Sequence, residues 1–236
     1  MGATKEKGST WLESAGLLGV ALMVTGPLLA WRRVLPGLPG FGLYALGGLL
    51  VLAVAASTLV ASARRRPWGF GRALTLPAAM VFIASMSGGF GAPRINDFTT
   101  DTADPPRLVR AASLPANSGR DMAYPPDWAT LQSACCADLR PARLAMAPAG
   151  AFAAARAAAA RMPGWEVVAV DEGSGTIEAI ATTPLFGFQD DIAIRVRPDG
   201  DGSRVDVRSK SRDGKGDMGA NADRIRQYVA VVETTR

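Results

Sequence analysis

Three long stretches without a formal charge constrain this chain more than any other feature. Eighteen uncharged residues lie between Glu13 and Arg32, thirty between Arg33 and Arg64, and twenty-one between Arg72 and Arg94. A helix needs about 20 apolar residues to cross about 30 Å of hydrocarbon. The pattern predicts transmembrane helices at about 12–31, 41–63 and 73–91, together a membrane domain over residues 1–91. Trp11, Trp31 and Trp68 fall at the predicted membrane borders, where indole rings settle. The third stretch is the weakest, because it carries Pro77 and the pair Gly88-Gly89. The first run ends in Trp31-Arg32-Arg33 and not in small residues, so a cleaved signal peptide is not expected. With no acid or base inside the uncharged stretches, an ion pathway through the helices is not expected either.

Charge supplies an orientation. Residues 1–91 hold eight basic and two acidic residues, whereas residues 92–236 hold 18 basic and 19 acidic. The excess therefore lies among the apolar segments, which is a signature of membrane topology and not of a nucleic-acid partner. The loop "RRRPWGFGR" and the N-terminal lysines outweigh Arg32 and Arg33. With three spans, the positive-inside rule keeps the N-terminus in the cytoplasm and sends the C-terminal part outside; with two, it inverts.

Composition removes several chemistries. The chain has no histidine, so triads, histidine metal sites and imidazole pH switches are excluded. Its two cysteines are the neighbours Cys135 and Cys136. Two thiols make no zinc site, and a bridge between neighbours is not expected to staple the fold. No cofactor motif is present, and none is expected, nor is a metal.

Residues 92–148 are rich in proline, threonine and aspartate, with Pro-Pro pairs at 105–106 and 125–126, and read as an extended arm. Asp97, Asp101 and Asp104 lack calcium-loop spacing and suit turn and capping bonds better. Regular patterning starts at 149 and defines an α+β domain over 149–236. "AGAFAAARAAAARM" is a strong helix former, with Phe152, Ala155, Ala159 and Met162 on one face. "WEVVAVD" and "TIEAIAT" flank "EGSG" as a hairpin. "DIAIRVR" puts Ile192, Ile194 and Val196 on one side and Asp191, Ala193, Arg195 and Arg197 on the other. "RVDVRS" repeats this with Val205 and Val207. A last helix aligns Met218, Ala222, Ile225, Val229 and Val232. The order α-β-β-β-β-α predicts an antiparallel four-stranded sheet flanked by two helices, with one polar face. If Arg197 lies opposite Arg204, then Arg195 faces Asp206 and Asp191 faces Lys210. That face reads as solvated or as a docking surface.

The strings "PRINDFTTDTADPP", "MPGWEVV", "TTPLFGFQDDIAIRVRP" and "GSRVDVRSKSRDGKGDMGANADRIR" resemble the family of domain of unknown function 1499, over about residues 93–231. The resemblance implies a bacterial membrane-anchored protein with an N-terminal hydrophobic region; it implies no reaction, ligand or partner. The Cys135-Cys136 pair stands where the family suggests an aromatic residue and a proline.

Two regions are candidate sites. In "SKSRDGKGDMGAN", residues 209–221, Lys210, Arg212 and Lys215 gather beside a helix start, with Gly216, Asp217 and Asn221. Free N–H groups there could take a phosphate, a carboxylate or a lipid head group. The phosphate-loop pattern of nucleotide hydrolases is absent, and Asp217 could simply cap the helix. In "TTPLFGFQDD", Phe186 and Phe188, with Asp191 and Arg195 beyond them, offer an interaction surface or core filling. Asp190 and Asp191 point to opposite strand faces.

The preferred reading is an inner-membrane, multi-pass protein with an extracytoplasmic α+β domain that binds a protein or envelope component and catalyses nothing. One alternative is a lipid or small anionic or amphipathic ligand at the glycine-rich loop. Another is a carboxylate-dependent hydrolase built on Asp190 or Asp191 with Lys210. An apolar cavity of about 300 Å³ or more at Lys210–Lys215 would favour the ligand. A filled core under a flat charged sheet would favour the binding module, and two carboxylates across a cleft the hydrolase.

Overall fold

The computed structural model describes residues 3–89 and 92–235. Residues 90 and 91, where the third predicted span ends, lie outside the described residues. The chain divides into two units. One comprises residues 1–88 with 184–187; the other comprises 89–183 with 188–236.

The first unit holds α1 (Ala3–Trp31), α2 (Gly37–Ala63) and α3 (Phe70–Met86). Three helices, Thr10–Trp31, Gly37–Ala63 and Phe70–Gly89, are long and apolar enough to cross a membrane. Glycines set how closely they pack. A Cβ on Gly26 would stand 2.5 Å from the carbonyl oxygen of Gly40, and one on Gly47 would stand 2.6 Å from that of Gly19. The α1 and α2 backbones therefore touch where no side chain intervenes, the close approach that small residues permit between apolar helices. The Tyr44 ring packs on Phe82 at 5.5 Å, and its hydroxyl meets the Ser85 hydroxyl at 2.6 Å, joining α2 to α3.

The third helix starts at Phe70, three residues before the predicted span. Arg72 therefore lies inside it, which corrects the expectation of charge-free spans. Arg72 is buried. Its Nε donates to Thr58 Oγ1 at 3.2 Å, and a terminal nitrogen donates to the Ser57 carbonyl at 2.8 Å. Glu13 of α1 accepts the Gly69 and Arg72 amides at 2.7 and 3.0 Å. It fills the orphan donors at the start of α3 with a carboxylate on the positive end of the helix dipole.

The second unit is α+β, but its antiparallel sheet has six strands where the sequence suggests four. β3 (Trp165–Asp171), β4 (Thr176–Thr182), β5 (Gln189–Asp199) and β6 (Gly202–Ser211) form the expected meander. Arg197 lies opposite Arg204, Arg195 opposite Asp206 and Asp191 opposite Lys210, as the alternation requires. The two further strands, β1 (Asp97–Thr99) and β2 (Ala142–Leu144), both pair with β6, at Arg208–Lys210 and Ser203–Val205. They come from the region read as an extended arm. That region also forms α4 (Val109–Ala112) and α5 (Trp128–Cys136). Three-residue strands and helices of four and nine residues, set around Pro-Pro breaks, leave little periodic signature, so the sequence hides them.

One sheet face packs against α6 (Pro148–Arg161) and α7 (Ala220–Thr234). Ile177, Ile192, Ile194, Val205 and Val207 are buried there with Ala155, Ala158, Ile225, Tyr228 and Val232. Each fully buried branched side chain contributes about 1.5–3 kcal/mol. The Trp165 and Tyr228 rings stack at 5.4 Å, and the Tyr228 hydroxyl donates to the Ala155 carbonyl at 3.1 Å. Met218, expected on the last helix, precedes it instead; it is exposed, with a left-handed φ of 57°. Cys135 and Cys136 bond to each other at the end of α5. The bridge spans no intervening residue and closes no loop.

The helix contacts yield a paired test. Gly26→Ala should lower the stability of the detergent-solubilised full chain by about 1–3 kcal/mol, because its new methyl meets backbone that cannot give way. A Cβ on Gly42 meets nothing within 4 Å. Gly42→Ala should therefore be neutral or raise stability by up to about 1 kcal/mol. Thermal unfolding of the two variants beside the parent reads the difference.

Candidate functional site

The outer face of β5–β6 is largely covered and ion-paired. Arg195, Arg197, Arg204, Arg208 and Lys210 line up on it, and the acids on this face of β5 and β6 are Asp206 and Asp191, the latter taken by Arg212. The segment from Asp97 to Asp127 covers this face and sets three of its aspartates, Asp97, Asp101 and Asp104, against it. Asp97 grips Arg208 through both oxygens, at 2.9 and 2.7 Å, and takes the Lys210 ammonium at 3.0 Å. Asp101 accepts from Arg204 at 2.6 Å and Arg197 at 3.1 Å. Asp104 accepts from Arg197 at 2.7 Å and pairs with Arg195 at 3.1 Å. Asp206, at 0% side-chain exposure, sits under all three arginines at 2.7–3.3 Å. A paired-ion layer this deep holds its geometry only when each charge is met. Arg195 Nε is the one buried side-chain nitrogen or oxygen without a hydrogen-bond partner among the described residues.

Further contacts finish the cover. Arg208 also donates to the carbonyls of Pro106 and Met122, at 3.3 and 2.8 Å, and lies 5.7 Å over the Tyr124 ring. Burial pushes the Tyr124 hydroxyl up to about 12. Glu178 accepts three amides, from Val109 at 2.9 Å, Arg110 at 2.6 Å and Ala111 at 2.9 Å, which fixes the first turn of α4. Asn117 donates to Asp191 at 2.8 Å, and Gln132 clamps Thr99 through the amide and the carbonyl.

The candidate residues of the glycine-rich loop are mostly committed elsewhere. Lys210 is buried on Asp97. Arg212 grips Asp191 at 2.6–3.1 Å and Gln189 at 2.6 Å. Asp217 caps α7, accepting the Gly219 and Asn221 amides at 2.9 and 2.8 Å. Burial raises the Asp217 carboxyl above its ordinary value. Asn221 is buried, bonded to Ser209, and donates to Ser211 Oγ at 2.8 Å. Lys215 and Gly216 remain exposed. The structure thus does not gather Lys210, Arg212 and Lys215 around one ligand. Neither does it assemble a hydrolase: Asp190 pairs with Arg224 at 2.6 Å on the α7 side, while Asp191 and Lys210 face the arm with separate partners.

The second candidate region also splits. Phe186 belongs to the first unit, where its ring meets Phe41 edge-on at 5.4 Å and Tyr44 at 6.1 Å. In the second unit the Phe188 amide donates to the Thr183 hydroxyl, and the Thr183 amide donates to the Phe188 carbonyl, both at 2.9 Å. Asp191 and Arg195 belong to the charge layer.

A family model described as protein of unknown function (DUF1499) matches residues 97–232, more than half of the chain. The chain belongs to the DUF1499 family. No curated protein and no solved structure matches it. The matched stretch opens on β1, so the arm and its aspartates are part of the DUF1499 domain together with the sheet.

Sequence reasoning missed Asp97, Asp101, Asp104 and Glu178. A signal was present: five cations against two acids on the outward positions of β5 and β6 call for about three further negative charges, and the arm opens with aspartates at 97, 101 and 104.

Two consequences can be measured. Asp206→Asn should cost about 3–5 kcal/mol, since it leaves three arginines sharing the remaining acids. Asp104→Asn, at the 62%-exposed rim, should cost much less. Equal losses in chemical denaturation would contradict the layering. In acid, the Arg195 guanidinium holds Asp104 below the ordinary carboxylate value of 3.8, and Arg226 does the same for Asp138. Their contributions are complete above that value and vanish as pH falls through the lower folded one. Asp217 runs the other way, its contribution being lost as pH rises through its raised value. Asp104→Asn should flatten the acid limb of a stability–pH curve.

Proposed function

We propose that this DUF1499 protein is a multi-pass protein of the bacterial inner membrane whose C-terminal domain lies outside the cytoplasm and binds a protein or envelope component without catalysing a reaction. The observation that carries this reading is the state of the charged groups. On the outer sheet face they are spent on each other, so no acid–base pair or nucleophile with its base converges on an open cleft. A sheet backed by helices on one face and sealed by an ion-paired arm on the other is a rigid body suited to presenting a surface.

The orientation rests on three helices long and apolar enough to span a membrane, with the arginine-rich loop Arg64–Arg72 and the N-terminus on the cytoplasmic side. The glycine-rich loop supports a ligand less well than this reading does, since two of its three cations are already paired.

A reporter active only outside the cytoplasm, fused after Arg236, should be active in cells. Activity of a cytoplasm-only reporter there would overturn the orientation. Purification of the full chain in mild detergent, with mass spectrometry of co-eluting lipids and proteins, should recover a partner that survives washing. Recovery of neither class would contradict the binding role.

A further inference from the structure

We infer that the depression between α4 and the β3–β4 hairpin binds the anionic head and upper chain of a single lipid. It measures about 580 Å³ and is lined by Arg107, Val109, Arg110, Val170 and Arg195, among others. That volume lies within the range of small-molecule sites, about 300–1,000 Å³.

Four features point to an anionic amphiphile. First, Val109 is 69% exposed and Val170 38% exposed, and both line this one depression. Among the described residues of the second unit, Val109 is the most exposed large apolar one. Secondly, Arg107 and Arg110 flank Val109 and are both exposed. An apolar patch rimmed by arginines is the surface that takes an acyl chain below an anionic head. Thirdly, Arg195 also lines the depression, and its Nε is buried without an acceptor. Fourthly, the two acids of the lining have their carboxylates engaged. Glu178 accepts three amides of α4, while Asp171 accepts the Gly173 and Ser174 amides at 3.0 and 3.3 Å and the Ser174 hydroxyl at 2.7 Å. The hydroxyls of Ser113 and Thr176 complete a polar rim for head-group oxygens.

This site rests on the binding-module reading and names its ligand class. It is separate from the glycine-rich loop, where Lys210 and Arg212 are committed to Asp97 and Asp191.

The test is photolabelling of the full chain in lipid nanodiscs with diazirine-bearing palmitic acid and, in parallel, with the same chain as a primary alcohol. The acid should label peptides covering 107–113 and 169–176 at least about tenfold more than the alcohol does, a difference of about 1.4 kcal/mol. The double variant Arg107→Gln, Arg110→Gln should lose that labelling while α1–α3 are labelled as before, an internal control that the chain is intact. Val109→Asp should abolish it as well. The inference is overturned by absence of label from both peptides, by equal labelling with the alcohol, or by labelling that survives the arginine changes. Displacement by inorganic phosphate alone would assign the arginines to a free anion and overturn the lipid. If partners co-purify but these peptides stay unlabelled, this site fails and the binding reading stands.

Discussion

Neutralisation of a cationic sheet face by three aspartates from a proline-rich arm is the interaction on which the DUF1499 domain depends. Five basic side chains on one face of a two-stranded ribbon would repel one another and, left in water, would keep that face open. Asp206 meets only part of the charge, and Asp191 is taken by Arg212. Asp97, Asp101 and Asp104 supply the rest, and the layer becomes a second, polar core opposite the apolar one under α6 and α7. Stability from such a core is conditional. A complete set of pairs offsets the cost of removing charges from water, whereas one missing member leaves a buried charge without a partner.

This explains why a proline-rich stretch with little regular structure takes one shape. Its path is fixed by what it meets: Ile95 and Phe98 in the apolar core, β1 on the edge of β6, Glu178 at the start of α4, Gln132 of α5 on Thr99. The same commitments shape the functional reading. Most charged groups that look available in the sequence are structural, whereas Arg107 and Arg110, beside Val109, are exposed.

The legible parts were those with local periodicity. Alternation in "DIAIRVR" and "RVDVRS" gave the β5–β6 register, down to Arg195 opposite Asp206. Charge-free runs gave three helices but set each start too late: α1 begins at Ala3 and takes in Glu13, α2 begins at Gly37, and α3 takes in Arg72. What the sequence could not reveal is non-local. Pairs such as Asp97–Arg208 and Asp101–Arg204 join residues about a hundred positions apart, and strands of three residues have no period to detect. The glycine-rich loop misled for the same reason: Lys210, Arg212 and Lys215 are neighbours in sequence, but strand alternation and long-range acids send them to different partners.

A double-mutant cycle on the deepest arm–sheet pair tests the central claim most directly. Asp97→Asn, Arg208→Met and the double variant would be compared with the parent by denaturant unfolding. Neutralisation across the arm predicts that the double variant is more stable than the sum of the single losses by at least about 1 kcal/mol, because removing both charges leaves neither stranded. Additivity within about 0.5 kcal/mol would show that the pair is incidental and that packing alone holds the arm.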